Sequence, residues 1–190
     1  MKQQLLQLTI QKEYNLIKDL LINLPKQDKG KIFEQYLAEL YAGNGYLVKV
    51  QGGRGDLGAD ILLYHPKTPN QVSFIIQAKN HAKPLTFDQT RIELVKFEEK
   101  AITKYNCQQF NLVTVNGFVK EAQKLSEFNM LLSGWDYIVN LIEHFNPNKV
   151  APEIELFAHN KNAYEQLKSL WQDNKRVAVV QATGTGKSYC

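Results

Sequence analysis

Hydrophobic positions at the start of the chain recur at the spacing of α-helices. Over residues 1–24 this spacing predicts one helix, which Pro25 ends. A second helix is predicted to begin after Asp28, a candidate N-cap residue, and to stop at Gly43 and Gly45. The apolar positions are Leu6, Ile10, Leu16, Ile17, Leu20, Leu21 and Leu24 in the first helix, and Phe33, Leu37, Leu40 and Tyr41 in the second.

The hydrophobic period then shortens to the alternation of β-strands. Three strands rich in Val, Ile, Leu and aromatic residues are predicted at 46–51, 60–64 and 72–79. Thr86 and Gln89 then form a capping box for a helix that runs to about residue 106. The remaining predicted elements are a strand at 110–115, a helix at 119–128, a strand at 130–133 and a helix at 135–145. This order predicts an α/β domain with a mixed sheet flanked by helices.

The third predicted strand ends in polar residues, where a strand covered by helices should be apolar. Alternation places Gln77 and Lys79 on one face of that strand. Burying an amide and an ammonium group without partners is costly, so other groups must satisfy them. Asp60 opens the preceding strand, directly after the glycine-rich loop 52–58. If the two strands are neighbours, Asp60 and Gln77 converge at one edge of the sheet.

A carboxylate, an amide oxygen and a lysine at one edge can form a phosphodiesterase site. Asp60, the Gln77 side-chain oxygen and the Ala78 carbonyl are oxygen ligands of the kind that Mg²⁺ prefers. A bound metal makes a water more acidic and neutralises phosphate charge. Lys79 can orient or deprotonate the attacking water and stabilise the charge that develops. Glu34, beside the buried stripe of the second helix, can reach the metal directly or through water.

Each of these residues also has an ordinary structural explanation. Asp60 can cap the glycine-rich loop, and Lys79 can be a solvated strand end. Asp56 within the loop either shapes the turn or contacts metal or substrate. His81 and Lys83 follow the site and either touch nucleic-acid phosphates or lie in solvent.

Over about residues 28–145 the chain resembles the Mrr-type branch of the PD-(D/E)XK restriction-endonuclease-like superfamily. The resemblance rests on Lys31-Ile32-Phe33-Glu34, on Gly52-Gly53-Arg54-Gly55-Asp56-Leu57-Gly58-Ala59-Asp60 and on Gln77-Ala78-Lys79. It implies a restriction-endonuclease-like fold and a Mg²⁺-dependent DNA endonuclease. By this match Asp60 is the motif aspartate, Lys79 the motif lysine and Glu34 the auxiliary acid. Gln77 stands where most of the superfamily has glutamate. Glutamine is common in the Mrr branch, but it removes one negative charge and weakens metal binding.

A second motif, Gly184-Thr185-Gly186-Lys187-Ser188, follows an apolar strand predicted at 176–180. In a phosphate-binding loop the glycines let backbone N–H groups surround a phosphate, while Lys187 meets the β- and γ-phosphates and Ser188 a Mg²⁺ ion. The alternative is a chance glycine turn.

The segment from Ala182 to Ser188 resembles motif I of superfamily 2 (DEAD/DEAH-like) helicases and of the type I and III restriction-enzyme motors. Gln181 replaces the first glycine of the general phosphate-loop pattern, and Gln166 stands where these motors often carry an adenine-reading glutamine. The resemblance covers about residues 157–190. It implies the truncated start of an ATP-binding helicase domain, so that ATP with Mg²⁺ would bind only in the full-length protein.

Composition excludes several classes of protein. Apolar residues make up 44% and charged residues 22% of the 190 residues, which excludes wholesale disorder and fibrous structure. Two cysteines cannot build a disulfide framework or a four-cysteine zinc site, and no apolar run is long enough to cross a bilayer. We therefore expect a cytoplasmic protein. The net charge of +4 permits a polyanionic partner without demanding one.

These features together predict the front part of a restriction-type DNA helicase and nuclease. We expect an N-terminal helical segment at 1–24, an endonuclease domain at 25–145, a linker at 146–156 and the motor fragment at 157–190. The expected partner is double-stranded DNA, with a homodimer or restriction-system subunits left open. The alternative is a nuclease fold that cuts weakly or not at all and serves as a DNA-binding module. Residues 1–24 either pack within the molecule or form a docking or dimerisation helix.

Overall fold

The computed structural model describes residues 1–51, 58–149, 165–167 and 169–170. The chain divides into two units, residues 1–150 and 151–190. The described part of the second unit is helical at 165–167 and 169–170. Within the described ranges, no helix has the length and the apolar character that a membrane span requires. The finer domain boundaries remain predictions.

A five-stranded mixed sheet forms the centre of the first unit. Its strands follow one another in space as they do in sequence. They are β1 (Leu47–Val50), β2 (Ile61–Tyr64), β3 (Val72–Lys79), β4 (Phe110–Thr114) and β5 (Met130–Ser133). The pairs β1–β2 and β2–β3 are antiparallel, while β3–β4 and β4–β5 are parallel. The predicted α/β class with a mixed sheet is confirmed.

Helices cover both faces of this sheet. They are α1 (Lys2–Gln11), α2 (Tyr14–Ile22), α3 (Lys29–Gly43), α4 (Phe87–Lys96), α5 (Ile102–Tyr105), α6 (Lys120–Gln123) and α7 (Trp135–Glu143). A π-helical segment, Phe97–Ala101, joins α4 to α5. The capping box of Thr86 and Gln89 is present at the start of α4, and Asn106 ends the helical run in the left-handed conformation with φ 47°. Asp28 occupies the N-cap position of α3 without a side-chain capping bond.

The single helix predicted over residues 1–24 is wrong, because the chain breaks after Gln11. Lys12 adopts the left-handed conformation with φ 57°, and its N–H bonds to the carbonyls at the end of α1. The break turns Leu5 and Thr9 inward and leaves Ile10 and Leu16, both expected in the apolar stripe, more than half exposed. The helical spacing of apolar residues continues across the polar residues between α1 and α2, so the pattern did not reveal that the chain changes direction there.

The helix predicted over 119–128 is also shorter in the structure, where only α6 is α-helical. Tighter turns follow it, with the N–H of Leu125 bonded to the carbonyl of Ala122. Glu127 then forms an isolated bridge with Met130, and Phe128 is 92% exposed. A tight turn that leads into β5 thus replaces the end of the predicted helix.

Two hydrophobic clusters lie on opposite faces of the sheet. The first, here called the α3 core, is formed by Phe33, Tyr36, Leu37, Leu40 and Tyr41 of α3 with Ile61, Leu63, Ile76, Ala78 and Val113 of the sheet. The second, the α4 core, is formed by Leu94, Phe97 and Ala101 with Ile75, Phe110, Leu112 and Met130. The predicted buried stripe of α3 is confirmed, since all four of its members are buried.

Candidate active site

The antiparallel register of β2 and β3 places Asp60 opposite Gln77. Ile61, the first residue of β2, pairs with Ile76. One step further along the same register, Asp60 therefore lies opposite Gln77. Gln77 Nε2 donates a hydrogen bond to Asp60 Oδ2 at 2.5 Å, and the Ala78 N–H donates to the same oxygen at 2.7 Å. Asp60 is only 5% exposed. The expected convergence of Asp60 and Gln77 is therefore what the structure shows.

The side-chain oxygen of Gln77, Oε1, is buried and accepts no hydrogen bond from the described part of the chain. A buried acceptor without a donor costs about 1–3 kcal/mol. Gly58, with φ +84°, lies beside this oxygen and has no side chain. A Cβ at this position would lie 3.5 Å from Oε1, so the glycine leaves the space next to the oxygen unfilled. The orphaned oxygen marks a position where a cation or a donor fits.

A cleft of about 940 Å³ opens at this end of the sheet. The predicted site residues Glu34, Asp60, Gln77, Ala78 and Lys79 all line it. His81 lines it as well, whereas Lys83 is exposed. The structure thus brings together, at one cleft, side chains contributed by α3, by the end of β2 and by β3.

The cleft is also rich in positive charge. Besides Lys79, its lining includes Lys26 and Lys29 near the start of α3 and Lys96 and Lys100 on the α4 side. Such a group of ammonium charges attracts a polyanion. Sequence reasoning missed these four lysines, because they are far apart along the chain and only the fold gathers them.

Glu93 of α4 is the other site residue that sequence reasoning missed. Its Oε1 lies 3.3 Å from Lys79 Nζ and 3.0 Å from Lys96 Nζ. The signal that could have revealed it is the parallel crossover from β3 to β4, since such a connection lays its helix across one face of the sheet. That face carries Gln77 and Lys79.

The donor set of the cleft fits a hard divalent cation. Mg²⁺ prefers carboxylate, carbonyl and water oxygens, and the cleft offers the Asp60 carboxylate and the unpartnered Gln77 Oε1. Among the described residues no three His, Cys, Asp or Glu side chains form a metal-binding group. A cation here would depend on amide and backbone oxygens and on water as well as on Asp60. The Ala78 carbonyl and Glu34 remain predicted ligands.

Several predicted site residues lie outside the described part of the structure. They are Asp56, with the rest of loop 52–57, and the phosphate-loop residues Gly184, Thr185, Gly186, Lys187 and Ser188. Gln166 is described and is exposed on a helical segment. Its predicted role with adenine remains a prediction.

Comparisons with known proteins assign the family. A solved structure described as "Protein of Unknown Function AF1548" is similar to this chain, with 17% identity, a TM-score of 0.46, and coverage of 70% of this chain and 75% of that one. No curated protein sequence matches the chain. The family model Mrr_cat, described as "Restriction endonuclease", matches residues 26–141. That match spans more than half of the chain and includes Glu34, Asp60, Gln77 and Lys79, and it establishes that the protein belongs to the Mrr-type restriction endonuclease family.

Proposed function

We propose that this protein hydrolyses phosphodiester bonds of double-stranded DNA at the cleft, and that it does so with a divalent cation, Mg²⁺ by preference. The observation that carries the proposal is the buried Asp60–Gln77 pair with its orphaned amide oxygen, in a cleft that also contains Lys79. A group that costs stability without a ligand is expected where a ligand binds. Family membership supports a nuclease, and the lysine-rich lining supports a nucleic-acid substrate.

The roles of the residues follow from their chemistry. Asp60 and Gln77, with Glu34 and the Ala78 carbonyl, would hold the cation. A cation bound there supplies charge neutralisation at the phosphate and a more acidic water. Lys79 adds a fixed positive charge beside the reacting phosphate and orients the attacking water. The lysines at the edges of the cleft contact neighbouring phosphates and position the strand.

A second candidate is a DNA-binding module with little or no cleavage. The hydrogen bond from Gln77 Nε2 to Asp60 Oδ2 supports it, because that donor occupies a carboxylate oxygen that a cation would use. Glutamine also contributes no negative charge to the site. This candidate predicts DNA binding that does not depend on metal.

One titration separates the two functions. Cleavage and binding of a double-stranded DNA are measured while Mg²⁺ or Mn²⁺ is added, for the natural protein and for Asp60→Asn. The nuclease proposal expects metal-dependent cleavage that falls at least about 100-fold in Asp60→Asn. The matched control is Asp19→Asn, which makes the same change at an exposed position of α2 and should cut normally.

The outcomes are distinct. Cleavage that is equal in Asp60→Asn and in the natural protein would exclude this site. Absence of cleavage, together with binding that is indifferent to metal, would establish the binding module instead. Near-ultraviolet circular dichroism confirms that each variant is folded.

We further propose that residues 182–188 belong to an ATP-driven motor coupled to the nuclease. The support is the sequence motif alone. This assignment predicts that Lys187→Ala abolishes ATP binding. Unchanged ATP binding would refute this assignment.

A further inference from the structure

Helix α4 contributes a carboxylate, that of Glu93, to the cleft opposite the end of β3. Leu94 and Phe97 belong with Ile75 to the buried α4 core, which holds α4 on that face of the sheet. Lys79 lies on the same face as Ile75, four residues further along β3. The packing of the α4 core therefore sets how closely Glu93 approaches Lys79.

One carboxylate oxygen of Glu93 contacts both Lys79 and Lys96, while the other oxygen contacts neither lysine. Oε1 contacts the ammonium groups of Lys79 and Lys96. Oε2 is buried and has no hydrogen-bond partner among the residues that the structure describes. The side chain of Glu93 is 12% exposed, compared with 25% for Lys79 and 43% for Lys96.

This arrangement is poorly suited to stabilising the fold. A buried ion pair compensates for the loss of hydration only when its remaining oxygen also has a partner, and the described residues provide none for Glu93 Oε2. What the contact does achieve is to restrict a long side chain. A lysine has a flexible four-carbon stem, and other lysines line the same cleft and repel Lys79.

We propose that Glu93 is a positioning residue, which holds the Lys79 ammonium group at the Asp60 end of the cleft. The inference rests on the proposed nuclease function, in which Lys79 acts on the phosphate. Lys96 steadies Glu93 from the side of α4. The reactive lysine is thus fixed before DNA arrives, and orientation is a large part of catalysis.

Loss of the Glu93 charge is expected to lower the rate of cleavage without weakening DNA binding. In Glu93→Gln the shape of the side chain is kept and its charge is lost, so that Lys79 becomes mobile. The turnover number should fall roughly 10- to 100-fold, as it does when a supporting group is removed from an active site. DNA binding should stay equal or become tighter, because the cleft loses a negative charge that repels phosphates.

The experiment measures three quantities on the whole chain with Mg²⁺ present. They are kcat and KM for DNA cleavage, DNA affinity, and the labelling of Lys79 by an amine-reactive reagent, quantified by mass spectrometry. Exposed Lys67 is the internal reference for labelling. The matched control is Glu98→Gln, an exposed glutamate in the π-helical segment just beyond α4.

The expected result for Glu93→Gln is a lower kcat, an equal or lower KM and increased labelling of Lys79, with Glu98→Gln like the natural protein. A kcat equal to that of Glu98→Gln, or unchanged labelling of Lys79, would overturn the proposal. If Glu93→Gln does not fold, Glu93→Asp keeps the charge at a shorter reach and should retain an intermediate kcat; full activity there would count against it. If the natural protein cleaves no DNA, the nuclease function fails, and labelling alone decides whether Glu93 holds Lys79.

Discussion

The α3 core and the cleft lie in the same unit and differ in how their buried polar groups are satisfied. In the α3 core the hydroxyl of Tyr36 bonds to Thr9 Oγ1 at 2.7 Å, and the hydroxyls of Tyr41 and Tyr137 lie 3.2 Å apart. Burial raises the pKa of both Tyr36 and Tyr41, so these phenols stay neutral. In the cleft, by contrast, side-chain oxygens of Gln77, Asn80 and Glu93 are buried without partners among the described residues.

This difference separates the part of the molecule that stabilises the fold from the cleft in which we propose that the reaction occurs. Among the described residues two further side-chain atoms without partners, Asn111 Oδ1 and Thr114 Oγ1, belong to β4 and lie outside the lining of the cleft. Thr114 pairs with Lys79 in the register of β3 and β4. The cleft gathers three of these unpartnered oxygens, and leaving them open costs stability there. Natural proteins do this at functional sites.

The largest expected effect comes from the α3 core. Phe33 is fully buried in it, and Phe33→Ala leaves a cavity in close-packed surroundings. The free energy of unfolding should fall by about 3–5 kcal/mol, as measured by urea denaturation. A loss smaller than about 1 kcal/mol would show that this cluster does not stabilise the fold.

The second prediction adds a charge to the cleft. Gln77→Glu sets a second carboxylate against Asp60, which now accepts a bond from Gln77 at 2.5 Å. Without metal, stability should fall by about 1–3 kcal/mol, and the loss should grow as pH rises because two adjacent carboxylates resist ionisation. Mg²⁺ should restore the melting temperature.

Gln77→Met provides the matched comparison, because it removes the amide without adding charge. It should show a much smaller response to Mg²⁺ than Gln77→Glu, because it lacks the added carboxylate. Equal metal responses in Gln77→Glu and Gln77→Met would contradict a cation site beside Asp60.

The smallest effect is expected at the surface, where Glu143 of α7 bonds to Lys12 at 2.6 Å and to the Tyr14 hydroxyl. These hydrogen bonds lower the pKa of Glu143 below its ordinary value of 4.5. Because the folded-state pKa is depressed, the contribution to stability is present at neutral pH and is lost as pH falls through the folded-state value.

Denaturation of Glu143→Gln and of the natural protein between about pH 6 and about pH 3 checks this prediction. The difference in unfolding free energy should be small at the upper pH and should vanish at the lower. A difference that widens toward acid would reverse the assigned sign.

Sequence reasoning succeeded where a local pattern determines the structure. The bounds of β3 and β5 and the capping box of Thr86 follow from alternation and from a short-range bond. The same alternation, with the glycine-rich loop before Asp60, placed Asp60 beside Gln77.

It failed where a helical pattern ran across a local break, as at Lys12 and after α6. It also missed residues that only distant contacts bring together. Glu93, Lys96 and Lys100 could not be assigned to the site before the crossover between β3 and β4 was known. Lys26 and Lys29 could not be assigned before the start of α3 was placed at the cleft. Tertiary contacts, rather than local propensity, decide such positions.

The most direct test of the account is the nicking of supercoiled plasmid DNA in Mg²⁺ by the double variant Asp60→Asn, Lys79→Met. The account predicts that nicking by the natural protein requires Mg²⁺, and that the folded double variant retains less than about 1% of that rate. Nicking by the pure, folded double variant at the rate of the natural protein would show that the chemistry occurs elsewhere.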